Sequence, residues 1–168
     1  LVYMDFDRGL MEAQGYGRYE HLDPAGLPNL YIAYRNDLFE GSEIVHNNLR
    51  ERFDRGESEV LDAIAFWAEL TDRVRDCLAT GKQDELGVLL NENFDRRAAL
   101  YKISEGNIRM IEAARSVGAS AKFTGSGGAI VGTYTDENMY SRLQTVLAPM
   151  QIEVLKPNLA PAIGDDNS

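Results

Sequence analysis

The sequence predicts an α+β protein in which an antiparallel sheet is backed by helices. Three observations carry that expectation. Apolar residues recur every three or four positions through Val60, Ile64, Trp67, Leu70, Val74 and Leu78, the period of an amphipathic helix. The run from Ser120 to Lys156 places short β-rich stretches around one helical pattern, in the order β-β-α-β. The chain also opens with strand candidates and little helix, so runs of strand and runs of helix stand side by side, as α+β layers require.

Taken in order, Leu1–Asp7 alternates weakly and is rich in Val, Tyr and Phe, so it reads as a strand. Arg8–Gly17 reads as a loop. Glu20–Pro28 reads as a second loop, with Asp23-Pro24 and Gly26 as turn formers. Asn29–Arg35 ("NLYIAYR") is a strong strand pattern. From Ser42 to Arg55, Ile44, Val45, Leu49 and Phe53 fall at helical spacing, and Gly56 interrupts them. Ser58 then starts the long helix, and Gly81 suits the position just past its end. Gln83–Tyr101 carries Leu86, Leu90 and Phe94 on one face, and Gly106–Val117 is a further helix closed by Gly118. Ser120–Thr124 and Ala129–Thr135 are strands flanking Gly125–Gly128. Asp136 caps a helix running to about Ala148, Gln151–Lys156 is a last strand, and Asn158–Ser168 is expected to fray.

Composition narrows the function classes. With 168 residues, 44% of them hydrophobic, the chain suits one domain, or one domain with part of another. A net charge of -10 argues against a nucleic-acid surface, which needs clustered Lys and Arg, but leaves room for a local anion site. Cys77 stands alone, which excludes an internal disulfide and suggests a reducing, cytoplasmic setting. His21 and His46 are far apart with no Cys pair, so no metal site is expected. No apolar run approaches the ~20 residues of a membrane helix. The chain opens on "LVYMDFD" without a Met or a signal peptide and reads as a stretch cut from something longer.

The segment "AKFTGSGGAIVG", Ala121–Gly132, raises the question of phosphate binding. A Walker loop needs Lys after its glycines, whereas Lys122 precedes them. A dinucleotide fingerprint needs a following helix, but "AIVGTY" is strand-like. What remains is a strand–loop–strand. Its backbone amides at Gly125–Gly128 can form an anion-binding nest, or the glycines can simply serve a hairpin turn. Lys122, Thr124 and Ser126 add a cation and two hydroxyls, and three glycines in four residues exceed what a two-residue turn requires.

This segment resembles the third motif of the GHMP kinases, which phosphorylate galactose, homoserine, mevalonate and phosphomevalonate. "LVYMDF", "GYGRYEHLDPAGLPNLYIAYR", "VHNNLRERF", "NENFDRR" and "AARSVGASAKFTGSGGA", in that order, are similar to the glucuronokinase branch, the sugar-acid kinases of that family. The resemblance implies a ferredoxin-like C-terminal domain at 41–160, preceded at 1–40 by the last strands of a truncated N-terminal domain and followed by a flexible tail at 161–168. The family's N-terminal ATP loop, "P-x-x-x-G-[LI]-[SG]-S-[SA]", does not occur in this sequence, and the usual aspartate base is expected just before "LVYMDF". The resemblance therefore implies ATP and Mg²⁺ as cofactors, a sugar acid as substrate, the N-terminal half of the same enzyme as partner, and no catalytic base within these residues.

On that reading the γ-phosphoryl passes to the anomeric hydroxyl of D-glucuronate. Gly125, Ser126, Gly127 and Gly128, with Lys122 and Thr124, would bind phosphate. The substrate carboxylate calls for a cation, preferably the two-pronged Arg. His46 with Arg50, and Arg96 or Arg97, the latter with Asn93, are the candidates; His46 and Arg50, like Asn93 and Arg97, are four residues apart on a helical pattern, and a solvated helix face is the alternative. Asp5 and Asp7 read as surface charge, and Tyr16, Tyr19, Tyr31 and Tyr34 as core packing. The alternatives are another GHMP sugar kinase, a non-catalytic ligand-binding or regulatory α+β domain, and an interaction module that docks a partner on the Val60–Leu78 face.

Overall fold

The structure, a computed structural model, describes residues 1–38 and 49–158. His46 and the stretch from 159 onward, including most of the segment expected to fray, lie outside the described residues.

Strand β1 (Val2–Asp5) pairs antiparallel with β2 (Arg18–His21), setting Val2 opposite His21 and Asp5 opposite Arg18. Between them lies helix α1 (Arg8–Gln14), where the sequence suggested a loop. The helix owes its existence to its ends. The Asp7 carboxylate accepts from Leu10 N–H at 3.0 Å, and Gly15 stops the helix in the left-handed region. None of its residues is buried, so no apolar period marks it. The reading of Glu20–Pro28 as a loop also needs correction: Glu20 and His21 belong to β2, whose four residues are all exposed and carry no alternation. Asp7 is exposed, as surface charge, whereas Asp5 is half-buried and lies 3.2 Å from Arg18.

The main sheet has the order β4 (Lys122–Phe123), β5 (Ala129–Thr133), β3 (Leu30–Tyr34), β6 (Glu153–Leu155), with every pair antiparallel. Strand β3 is central, hydrogen-bonded to β5 and β6. Strand β3 thus shares one continuous sheet with strands that lie beyond residue 120. Along β3, Tyr31 and Ala33 point inward and their neighbours are half-buried, the two-residue period of a one-sided sheet. Gly132 of β5 is required by close packing, since a Cβ there would overlap the Ser120 carbonyl and approach Tyr31 within 2.7 Å.

Helix α2 (Ser58–Ala79) packs on α3 (Leu86–Leu100) through Leu70, Cys77, Leu86 and Leu89. Val60 and Leu70 of the expected stripe are buried and Trp67, Val74 and Leu78 half-buried. Ile64 is 44% exposed, and Ala63 takes the inward position beside it. Gly81 follows α2 at φ +72°, and the turn Gln83–Glu85 before α3 is a tighter 3₁₀ turn. Helices α4 (Glu105–Ser116) and α5 (Glu137–Leu147) complete the core with Met110, Ile111, Ala114, Leu143 and Leu147 against Tyr31, Phe123 and Ile130. Asp136 caps α5, accepting from Met139 N–H at 2.7 Å. Of the four tyrosines read as core, Tyr31 is fully buried and Tyr34 half-buried. Tyr16 and Tyr19 are exposed instead, because they flank or lie in the open β1–β2 pair.

Candidate functional site

The β4–β5 connection stands at the end of the sheet where β3 finishes, above the first turn of α4. Its base is closed by Thr124 N–H donating to Ala129 O at 3.1 Å. Gly127 and Gly128 adopt φ of +141° and +75°, conformations that favour glycine. Asn107, in the first turn of α4, is fully buried. Its Oδ1 accepts from Gly128 N–H at 2.9 Å, and its Nδ2 donates to Ser104 Oγ at 3.1 Å. A Cβ on Gly127 would stand 2.9 Å from Asn107 Nδ2. The Gly128 carbonyl accepts from Arg35 N–H at 2.8 Å, tying the loop to the end of β3.

The backbone N–H groups thus divide into two sets. Those of Thr124 and Gly128 are held by the protein. Those of Gly125, Ser126 and Gly127 take no hydrogen bond among the described residues. Gly125 is exposed and the other two are half-buried, so the held amides form the base of the loop and the others its rim. Both a turn and a row of three amide donors with no partner among the described residues are therefore present, the geometry an anion-binding nest requires.

Two cations flank that row. Arg97 extends from α3, and its Nη1 donates to Gly125 O at 2.6 Å. Its guanidinium also lies 5.1 Å from the centre of the Phe123 ring. Lys122 on β4 donates from Nζ to Phe123 O at 2.9 Å. Burial, and then the charge of Arg97, hold the Lys122 pKa below the usual lysine value, since both disfavour a second positive charge there. The exposed Thr124 hydroxyl donates to Ala129 O at 3.4 Å.

The other carboxylate candidates stand apart. Arg50 lies in the helical segment 49–54, its side chain 77% exposed and paired with Asp54 at 3.1 Å. Asn93, one turn before Arg97 on α3, is half-buried, and its carbonyl accepts from Trp67 Nε1 at 3.4 Å. Among the described residues, no hydrogen bond or ion pair joins Arg50 or the Asn93 side chain to the loop. His46 lies outside the described residues.

Several supporting residues escaped the sequence reading. Asn91 Oδ1 accepts from Ala121 N–H at 2.9 Å, and Arg115 donates to the Asn91 and Ala121 carbonyls, both at 3.1 Å. Together they fix the strand that enters the loop. Asn107 had a readable signal, because it falls in register with Met110, Ile111 and Ala114 on the buried stripe of α4. A polar residue on an apolar stripe is informative, since its burial requires partners.

Three amide donors beside two cations suit an anionic group such as a phosphate or a carboxylate. Among the described residues, no group of three or more His, Cys, Asp or Glu is placed to hold a metal ion. No helix among the described residues is long and apolar enough to cross a membrane.

No family model matches the chain. It is 37% identical over 134 residues to a probable glucuronokinase 2 and 35% identical over 134 residues to glucuronokinase 1, both of Arabidopsis thaliana. Each match covers 78% of this chain but only 36% and 37% of the relative, so the chain spans little more than a third of the curated relatives it matches. Among solved structures it resembles L. major mevalonate kinase in complex with R-mevalonate, at a TM-score of 0.71 and 16% identity, over 88% of this chain and 48% of that one. It also resembles the Lin0012 protein of Listeria innocua, at 0.70 and 15% over 83% and 41%, and mevalonate kinase of methicillin-resistant Staphylococcus aureus MRSA252, at 0.59 and 13% over 85% and 46%. At such identities these structures speak for the fold alone, and the sequence relatives carry the rest: over 134 residues the chain is similar to a stretch of the two glucuronokinases.

Proposed function

We propose that this chain is the C-terminal portion of an ATP-dependent sugar-acid kinase that forms glucuronate 1-phosphate from D-glucuronate, in the cytoplasm. The single observation behind the reading is the row of unheld amides at Gly125, Ser126 and Gly127 beside Lys122 and Arg97. ATP would supply the γ-phosphoryl group. The chain's own contribution is to bind and orient phosphate through the three amides and to offset its charge through Lys122, with Thr124 and the Ser126 hydroxyl at the rim. Because Asn107, Arg35 and Arg97 already hold the loop backbone, the donors need little rearrangement when negative charge develops. Positioning and charge stabilisation are most of what phosphoryl transfer asks of a protein.

The sugar carboxylate is assigned to Arg97, the carboxylate candidate hydrogen-bonded to the loop, with His46, Arg50 and Asn93 as the other candidates. The partner is the N-terminal half of the same enzyme, which brings the ATP loop and the base. The division between the halves falls between β2 and β3, because β3 is central to the C-terminal sheet. The test is phosphorus NMR of the full-length protein carrying this chain, given ATP, Mg²⁺ and D-glucuronate. An anomeric sugar phosphate is the expected product. Ligand binding without transfer to any sugar acid would favour the non-catalytic binding domain, and transfer to a neutral sugar would favour another GHMP sugar kinase.

A further inference from the structure

The proposed function needs a loop whose rim amides stay available, although an isolated glycine-rich turn has every freedom to collapse on its own carbonyls. Glycine loses more conformational freedom on ordering than any other residue, so three glycines in four positions are held in one geometry only by something outside the loop. The described contacts identify that element. Asn107 is the fully buried polar side chain beneath the loop, and both ends of its amide are used. Oδ1 takes the Gly128 N–H, and Nδ2 holds Ser104 Oγ, which fixes the amide plane. Gly127 lies so close that any side chain there would meet Nδ2.

We infer that Asn107 is a positioning residue for phosphate recognition. It draws one amide of the loop inward and so keeps Gly127 and Gly128 in their left-handed conformations, leaving the amides of Gly125, Ser126 and Gly127 for the ligand. It touches the loop and not the substrate. The inference rests on the kinase reading for the identity of the ligand, but its structural half stands on the contacts alone.

The experiment uses the full-length protein carrying this chain and two variants. Asn107→Leu removes both hydrogen bonds at similar volume. Asn107→Asp keeps the acceptor facing Gly128 N–H. Amide hydrogen exchange is read without ligand across residues 124–129, α4 and β5, and the affinity for a non-hydrolysable ATP analogue is measured separately. For Asn107→Leu, exchange at Gly128 accelerates about tenfold or more while β5 and the C-terminal half of α4 hold their protection. Analogue affinity falls about tenfold, because a buried donor loses its partner and the loop relaxes. Asn107→Asp restores the exchange protection.

Acceleration spread equally over α4 and β5 would mean that Asn107 only supports packing, and would overturn the inference. So would analogue affinity within about twofold of the parent in a protein whose loop exchange has accelerated. Should Asn107→Leu not fold, Gly127→Ala attacks the same contact from the loop side, with the same localised exchange expected and the same outcomes against. A parent protein that binds no ATP analogue defeats the kinase reading, while the exchange pattern still decides whether Asn107 sets the loop.

Discussion

Tyr31 and Tyr19 both lie in short antiparallel strands, yet their circumstances are opposite. Tyr31, in the four-stranded sheet, is fully buried, and its hydroxyl donates to Ser120 O at 2.7 Å. Tyr19, in the β1–β2 pair, is 55% exposed and meets Phe6 edge-on at 6.0 Å. The same contrast runs through both sheets. The four-stranded sheet lays Ala33, Phe123 and Ile130 against α4 and α5, while Leu1, Met4 and Phe6 at the other sheet are open. Burial, not strand-forming residue type, separates them. Two strands make a sheet of little independent stability, whereas the larger sheet has helices on one face and can hold a loop in a defined shape at its end. The candidate site stands on the second kind of support.

The contrast predicts unequal responses to mutation. The greatest is expected at Gly132→Ala, because the new Cβ would overlap the Ser120 carbonyl, which is backbone and cannot swing aside. A loss of about 4 kcal/mol or more, or failure to fold, is expected in urea unfolding. Next, Leu143→Ala, at a fully buried position, should cost about 3 kcal/mol, while Met4→Ala, 53% exposed, should cost less than about 0.5 kcal/mol. Equal losses at these two sites would erase the distinction between the sheets. A gentler version removes one hydroxyl from each. Tyr31→Phe leaves Ser120 O without its buried donor and should cost about 1–2 kcal/mol. Tyr3→Phe removes an exposed bond to Asp72 and should change the unfolding midpoint little.

The smallest effect concerns charge. Burial and Arg97 lower the Lys122 pKa, so the unfolded chain holds this proton more tightly than the fold does. Without ligand, stability should therefore rise with pH between the lowered pKa and the ordinary lysine value of 10.5. Phosphate binding reverses the preference, since an anion favours protonated lysine. Affinity for the ATP analogue should weaken through that same window, and Lys122→Met should flatten the profile. A profile unchanged by Lys122→Met would remove Lys122 from the proposed site.

Some of the architecture was legible because a local signal and burial agreed. The period through Val60, Leu70 and Val74 is a helix facing a partner, and Asp136 caps α5 as its residue type suggests. Helix α1 and strand β2 were not legible, because neither buries a residue and only caps and pairing define them. In the site, the glycine row was visible as a row. Arg97 was visible only as one of several cations, and nothing local distinguishes it from Arg50. Its distinction is that α3 delivers it to Gly125 O, while Arg50 ends on Asp54 at the surface.

What the amino-acid order determined by itself was the period of each buried face, the stops at Gly81 and Gly118, and a loop between two strands that only glycines could turn. These follow from torsional preference and nearest-neighbour spacing. Only the tertiary structure decided that β3 joins the C-terminal sheet, that Arg97 rather than Arg50 reaches the loop, and that Asn107 holds one amide while three others have no partner among the described residues. The physical reason is that such choices depend on contacts between residues far apart in the chain, whose partners are set by packing and not by local preference.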